Sequence, residues 1–231
     1  KAKQKSSRRI VGEPDKINQK NIERINKTKI NNHYIKSSSD FREQIISQIK
    51  IEDEILDVGK SMRGFFDKIN SKSITTLDVN EFEDYPDIVF DLCDELPKDL
   101  NNKFDKIICI AILEHVYDPF KAVNNLKKML KDNGTIFGYV PYLYKYHAPN
   151  DLKFQDYFRF SKDALSYLFK DFNLIEIFPV RGRISAPLNI ISPNFLKKII
   201  EKIKINLLLD KMSSDRINGI QCSGYNFIVK K

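Results

Sequence analysis

An apolar run, Ile55-Leu56, closes on Asp57-Val58-Gly59, and a second glycine follows at Gly64. The pattern reads as a buried strand entering a sharp turn, because glycine adopts left-handed backbone and lets the chain pass close to a ligand. Phe65 and Phe66 then open a helix in this reading. A strand, a glycine turn and a helix at the carboxyl edge of a parallel sheet make a nucleotide-type ligand site. A dinucleotide fingerprint would read G-x-G-x-x-G. Here Lys60-Ser61-Met62-Arg63 fills the middle and only the outer glycines remain, so the turn alone is equally an ordinary strand end.

The rest of the chain alternates strand and helix. Strands are expected over 55–58, 73–78, 88–90, 104–110, 135–140, 172–180 and 225–229. A helix is expected to start at Ser37-Ser38-Ser39-Asp40 and carry Phe41, Ile45, Ile46 and Ile49 at helical spacing. Another runs over 118–131, with Pro119 in its first turn and Phe120, Val123, Leu126, Met129 and Leu130 on one face, stopped by Asn133-Gly134. A third, over 161–169, is capped by Ser161. Near-continuous apolar strands alternating with helices predict an α/β, Rossmann-like domain: a mostly parallel seven-stranded sheet with helices on both faces. Residues 181–224 lack a buried-strand pattern and form a helical insertion, or lid, before the last strand. Ligands in such sheets bind at the carboxyl ends of the strands. Gly59, Asp78, Asp91, Glu114-His115 and Pro141 all stand just after one.

The net charge of +8 is not spread evenly. Residues 1–36 hold 11 Lys/Arg against 3 Asp/Glu, and beyond them 28 of each cancel. The first 36 residues are therefore a basic leader, with a polar helix over 15–30, and 37–231 form a nearly neutral domain. Basic residues interleaved with aromatics on the folded part would signal nucleic-acid binding; that pattern is missing, and nucleic acid is an unexpected partner. The chain has no apolar run long enough to span a bilayer. Cys93, Cys109 and Cys222 are odd in number and widely spaced, which predicts reduced core thiols and a cytoplasmic protein. Within the insertion, residues 195–212 read FLKKIIEKIKINLLLDKM, with an apolar face opposed by lysines. A helix here packs as a lid, meets an anionic membrane from its inner side, or forms a homodimer surface.

Five stretches together resemble a class I S-adenosylmethionine-dependent methyltransferase, of the type 11-like kind. They are ILDVG at 55–59, LDVN at 77–80, DIVFDLCDELP at 87–97, FDKIICIAILEHVYDPFKAVNNLKKMLKDNGTIFGYVP at 104–141 and HAPNDLKFQDYFRFS at 147–161. The resemblance covers roughly residues 40–180 and the final strand. Its last block is similar to members associated with glycan, lipid-linked or cell-surface pathways. It implies S-adenosylmethionine as cofactor and S-adenosylhomocysteine as product. Gly59 would approach the methionine part and Asp57 its amino end. Asp78 would accept hydrogen bonds from the ribose hydroxyls, a role suited to an acceptor-only carboxylate. Asp91 and Leu92 would flank the adenine, and Ile110 and Ala111 would line the cofactor.

Methyl transfer displaces an already activated sulfonium, so proximity and alignment supply much of the acceleration. No metal is required, and none is signalled by the spacing of the cysteines and histidines. An oxygen acceptor would benefit from a general base. His147 is the expected one, because imidazole titrates near neutral pH. His115, Tyr144, Asp156, Tyr157 and Arg159 are expected to bind the acceptor, Arg159 as a fork for phosphate or carboxylate. The expected reaction is O-methylation of a small polar acceptor: a sugar, a phosphate-bearing group or a glycan-linked group. Two other readings stay open. Lys60 and Met62 stand in a loop where relatives carry two or three closely spaced glycines, which suits a non-catalytic binding or assembly module, and the basic leader suits a nucleic-acid methyltransferase.

Overall fold

A computed structural model describes residues 28–30, 38–148, 154–193 and 220–231, together with 19, 23, 208 and 210–212. Among these residues eight strands form one sheet: β1 (Thr28–Ile30), β2 (Glu54–Val58), β3 (Ser73–Asp78), β4 (Ile88–Val89), β5 (Phe104–Ile110), β6 (Leu130–Pro141), β7 (Leu174–Val180) and β8 (Gly224–Lys230). Their spatial order is β1-β7-β8-β6-β5-β2-β3-β4. Neighbours are parallel except that β8 runs antiparallel to both β6 and β7. The chain steps outward from β2 to β3 and β4, then recrosses to place β5 on the other side of β2. The β2/β5 boundary is thus the topological switch point, where a crevice opens at the carboxyl ends.

The central strands are apolar on both sides, as buried parallel strands must be. Leu56 and Val58 of β2, with Ile107 and Cys109 of β5, join one core. Ile55 and Ile108, one residue out of phase, join the other. Helices α2 (Pro119–Met129) and α3 (Lys162–Leu168) cover the first face, and α1 (Ser38–Ser47) covers the second through Phe41 and Ile45. The Asp118 carboxylate accepts the Lys121 N–H at 3.0 Å and Pro119 opens the first turn, so α2 begins where the sequence placed it. It buries Ala122, Val123, Leu126 and Met129. Phe120 falls outside that arc; it is half exposed and packs edge-on against Tyr167 of α3, 5.6 Å between ring centres.

Two local expectations change. The residues after Gly64 form only a single 3₁₀ turn, Phe66–Lys68, because Gly59 and Gly64 both hold positive φ and use the intervening chain as a loop. β1 falls inside the segment expected to be a polar helix. It pairs in parallel with β7, and Lys29 meets Glu176 at 3.1 Å, so the sheet carries one strand more than the seven expected. In the insertion, helix α4 (Ser185–Ile191) follows β7, and the Asp210 carboxylate accepts N–H bonds from Gly182, Ile184 and Ser185. Most of the helix expected over 195–212 lies outside the described residues, and with it the membrane and dimer surface. Among the described residues no helix is long and apolar enough to cross a membrane.

Candidate active site

At the switch point the ends of β2 and β5 are tied together by Ser61. Its buried hydroxyl donates to the Val58 carbonyl at 2.6 Å and accepts the Ile110 N–H at 2.7 Å. Gly59 turns the chain at φ +65°, its N–H held by the Leu77 carbonyl at 2.8 Å. A Cβ here would sit 2.2 Å from the Ile112 side chain. Lys60, also at positive φ, swings its ammonium over the Tyr85 ring, 4.0 Å from the centre, and Met62 is buried in the second core. Neither side chain reaches the space in front of Gly59. Lys60 and Met62 therefore leave that space open.

A cavity of about 420 Å³ opens there, within the usual range for small-molecule sites. Of the residues expected to bind cofactor, Gly59, Asp78, Asp91, Leu92 and Ala111 all line it. Asp78 is oriented by its own turn: one oxygen accepts the Asn80 N–H at 2.9 Å and the other the Tyr85 hydroxyl at 3.3 Å. Asp91 accepts the Cys93 N–H at 2.7 Å. The loop is pinned from behind by buried Asn125 of α2, whose amide donates to the carbonyls of Leu92 and Asp94 at 2.9 and 2.8 Å. Sequence reading missed Asn125 and Ser61, although a polar residue amid the apolar stripe of α2 was the available signal. Ala111 takes φ +57°, an uncommon conformation for a residue with a Cβ, directly on the cavity wall.

Two expected cofactor residues lie behind the wall. Ile110 faces the second core. Asp57 is fully buried beneath the turn, where its carboxylate accepts the Met62 N–H at 3.2 Å. It shapes the loop and does not touch the cavity. Burial pushes Asp57 up to about 7 from an ordinary 3.8, with the Met62 N–H and the nearby Arg42 charge only partly opposing. The folded state thus keeps a proton that the unfolded chain gives up. Stability from this group is full below about pH 4 and is lost as pH rises through about 7. Asp57→Asn, which cannot ionise, is expected to flatten that part of the melting temperature against pH curve. An unchanged curve would show that Asp57 is ionised throughout.

The acceptor-side residues split likewise. His115 and Tyr157 line the cavity, with Phe154 and Gln155 beside them. The segment containing them is hung on the 3₁₀ turn Leu113–His115 after β5, the Glu114 carbonyl accepting the N–H groups of Tyr157 and Phe158 at 2.8 and 3.2 Å. Tyr144, His147, Asp156 and Arg159 form a network outside the cavity lining. All five guanidinium donors of Arg159 are used: two ends hold Asp156, and others reach the carbonyls of Tyr144, Lys145 and Phe158. That corrects the expectation of a free anion clamp. Arg159 instead pulls Asp156 down to about 2 and fixes it. Asp156 then receives the His147 backbone N–H at 3.0 Å and faces its Nδ1 at 3.1 Å.

Between the two histidines lies Glu114, which the sequence marked only as standing just after a strand. It is fully buried, and burial pushes its carboxyl up to about 8. Its Oε1 lies 3.8 Å from His115 Nε2 and 3.7 Å from His147 Nε2. The imidazole rings stand edge to face, 4.8 Å between centres, and the Tyr144 ring closes on His147 at 5.5 Å. Burial lowers the affinity of His115 for a second proton.

A family model described as methyltransferase domain matches residues 26–181. No curated protein matches the sequence. Several solved structures share the fold at low identity. A methyltransferase from Mesorhizobium loti, described as S-adenosylmethionine dependent, is 12% identical with a TM-score of 0.51, covering 84% of this chain and 98% of its own. Phosphoethanolamine N-methyltransferase 2 of Haemonchus contortus, solved with phosphomonomethylethanolamine and S-adenosylhomocysteine, is 15% identical with a TM-score of 0.51; 84% of this chain aligns with about half, 51%, of that one. A chain from the complex of the Haloferax volcanii Trm112 methyltransferase activator with a methyltransferase is 15% identical, TM-score 0.50, covering 82% and 88%. With the family match spanning most of the chain and the switch-point cavity where the cofactor belongs, the chain belongs to the methyltransferase domain family as a class I S-adenosylmethionine-dependent methyltransferase.

Proposed function

We propose that the chain O-methylates a small polar acceptor, a sugar or glycan-linked hydroxyl, from S-adenosylmethionine. In this reading Gly59 receives the methionine part, Asp78 the ribose diol, and Asp91 with Leu92 the adenine. The observation that carries it is the Glu114–His115–His147 cluster, which meets the cavity through His115, where an acceptor hydroxyl would need to lose a proton. Tyr157 and Phe154 offer flat apolar faces to a sugar ring beside it. A phosphate on the acceptor would need a cation other than Arg159, whose donors are used within the chain. The three cysteines are free and buried, which suits a reducing, cytoplasmic compartment.

His147 does not line the cavity; its Nε2 faces Glu114, so it acts on the acceptor through the cluster. His147→Ala is expected to cut turnover at least about tenfold, as loss of acid–base help does, with cofactor affinity within about twofold of the parent. The check is S-adenosylhomocysteine formation across a panel of sugars and glycan-linked acceptors, alongside calorimetric titration with S-adenosylmethionine. Normal turnover in the variant would remove His147 from the reaction. Cofactor binding with no turnover on any hydroxyl acceptor would overturn the O-methylation reading.

A further inference from the structure

The hydrogen bonds around Glu114 impose a proton inventory. His115 Nδ1 lies 2.5 Å from the Gln155 carbonyl, which can only accept, so Nδ1 carries the proton and Nε2 presents a lone pair. His147 Nδ1 faces the Asp156 carboxylate at 3.1 Å and the Lys145 carbonyl at 3.4 Å, both acceptors, so its Nε2 also presents a lone pair. Both lone pairs point toward Glu114, whose two oxygens are buried and find no hydrogen-bond partner among the described residues. The 3.7 and 3.8 Å separations are beyond hydrogen-bonding reach. When Glu114 is ionised, three acceptors converge with no donor between them, an arrangement a buried carboxylate does not sustain without a proton or a cation.

We propose that Glu114, His115 Nε2 and His147 Nε2 bind a divalent transition-metal ion of the zinc class. Their ligand atoms all lie within 4.8 Å of one another. Tetrahedral bonds of about 2.0–2.2 Å place donors about 3.4 Å apart, so the two carboxylate–imidazole separations of 3.7 and 3.8 Å need to close by only a few tenths of an ångström, and the widest separation in the group by at most about 1.4 Å. Two histidines and one carboxylate form the donor set of a catalytic site that keeps a position open. The outer shell is also built. The Gln155 carbonyl and the Asp156 carboxylate fix the two tautomers, and Arg159 fixes Asp156, as partners of metal-binding histidines do. The sequence foretold no metal because His147 is remote in the chain from Glu114-His115; the ends of two adjacent parallel strands bring them together.

The ion's use rests on the O-methylation reading, but its binding does not. An acceptor hydroxyl on the open position would lose its proton to solvent near neutral pH. Its oxygen would then form the new bond to the methyl carbon as the carbon–sulfur bond breaks, the electron pair leaving with sulfur.

The test is calorimetric titration of the chelator-treated full chain with zinc chloride, without cofactor. One ion per chain at micromolar affinity or tighter is expected. Glu114→Gln and His147→Gln should each weaken it about tenfold or more, while His33→Gln, which removes the remaining histidine of the chain, should leave it unchanged. No saturable site in the micromolar range, or full affinity in both cluster variants, would overturn the proposal. Where Glu114→Gln fails to fold, His147→Gln on the partly exposed side of the cluster decides alone, its folding judged by its melting temperature. A separate titration with S-adenosylmethionine keeps the two questions apart: loss of cofactor binding would sink the methyl-transfer reading and leave a zinc site standing.

Discussion

Asp78→Ala is expected to weaken S-adenosylmethionine binding about 100-fold while leaving the fold intact. The carboxylate stands at the carboxyl end of β3 on the cavity wall, already oriented by the Asn80 N–H and the Tyr85 hydroxyl. A carboxylate has about four lone-pair positions; the long 3.5 Å contact from the Asn80 side-chain amide yields its position for both hydroxyls of a ribose to bind. Hydrogen bonds to a charged group contribute about 1.5–3 kcal/mol each, and about 1.4 kcal/mol is tenfold in affinity. Losing two puts the effect near 100-fold, against a small structural cost, since only the local contacts to Asn80 and the Tyr85 hydroxyl go. Asp78→Asn should fall between, because it keeps the shape and replaces one acceptor oxygen by a donor. Calorimetric titration measures both variants. An unchanged affinity in Asp78→Ala would move the ribose elsewhere and dismantle the cofactor assignment.

The largest effect on stability is expected from Gly138→Ala. Gly138 sits on β6 between β5 and β8, paired with Cys109 and Phe227. A Cβ there would lie 2.2 Å from the Phe227 ring and 2.5 Å from the Cys109 carbonyl oxygen. The ring cannot retreat, because Phe227 is fully buried and packed at a tilt against Phe169, 4.7 Å between ring centres. The carbonyl belongs to the β5–β6 ladder and cannot move without breaking it. Overpacking of this kind costs about 3 kcal/mol, which in a chain of this size lowers Tm by about 6–12 °C. Adding Phe227→Leu should recover part of the loss by clearing the ring contact and leave the part owed to the carbonyl. A Tm within about 2 °C of the parent in Gly138→Ala would mean that the sheet accommodates the methyl by local movement.

Much of the architecture was legible because its determinants are local. The near-continuous apolar runs of β2 and β5, the Asp118-Pro119 start of α2 and the positive-φ glycine at 59 each depend on residues a few positions apart. The sequence therefore determined the order of strands and helices, the switch-point turn, and an acidic residue after each of β3 and β4. It also pointed to the family, since the acidic and glycine positions fall at strand ends where a cofactor would meet them. What it could not show is where a side chain goes once two distant segments meet. Lys60 and Met62 read as obstacles along the chain, yet packing turns one over Tyr85 and buries the other. Arg159 read as a free fork, yet its donors are taken by the loop that carries Asp156 and by the segment after β6. β1 was missed because three residues of edge strand carry too little pattern of their own, and only pairing with β7 reveals them. The tertiary structure alone decided that Glu114, His115 and His147 come together, because parallel pairing of β5 with β6 sets their carboxyl ends side by side.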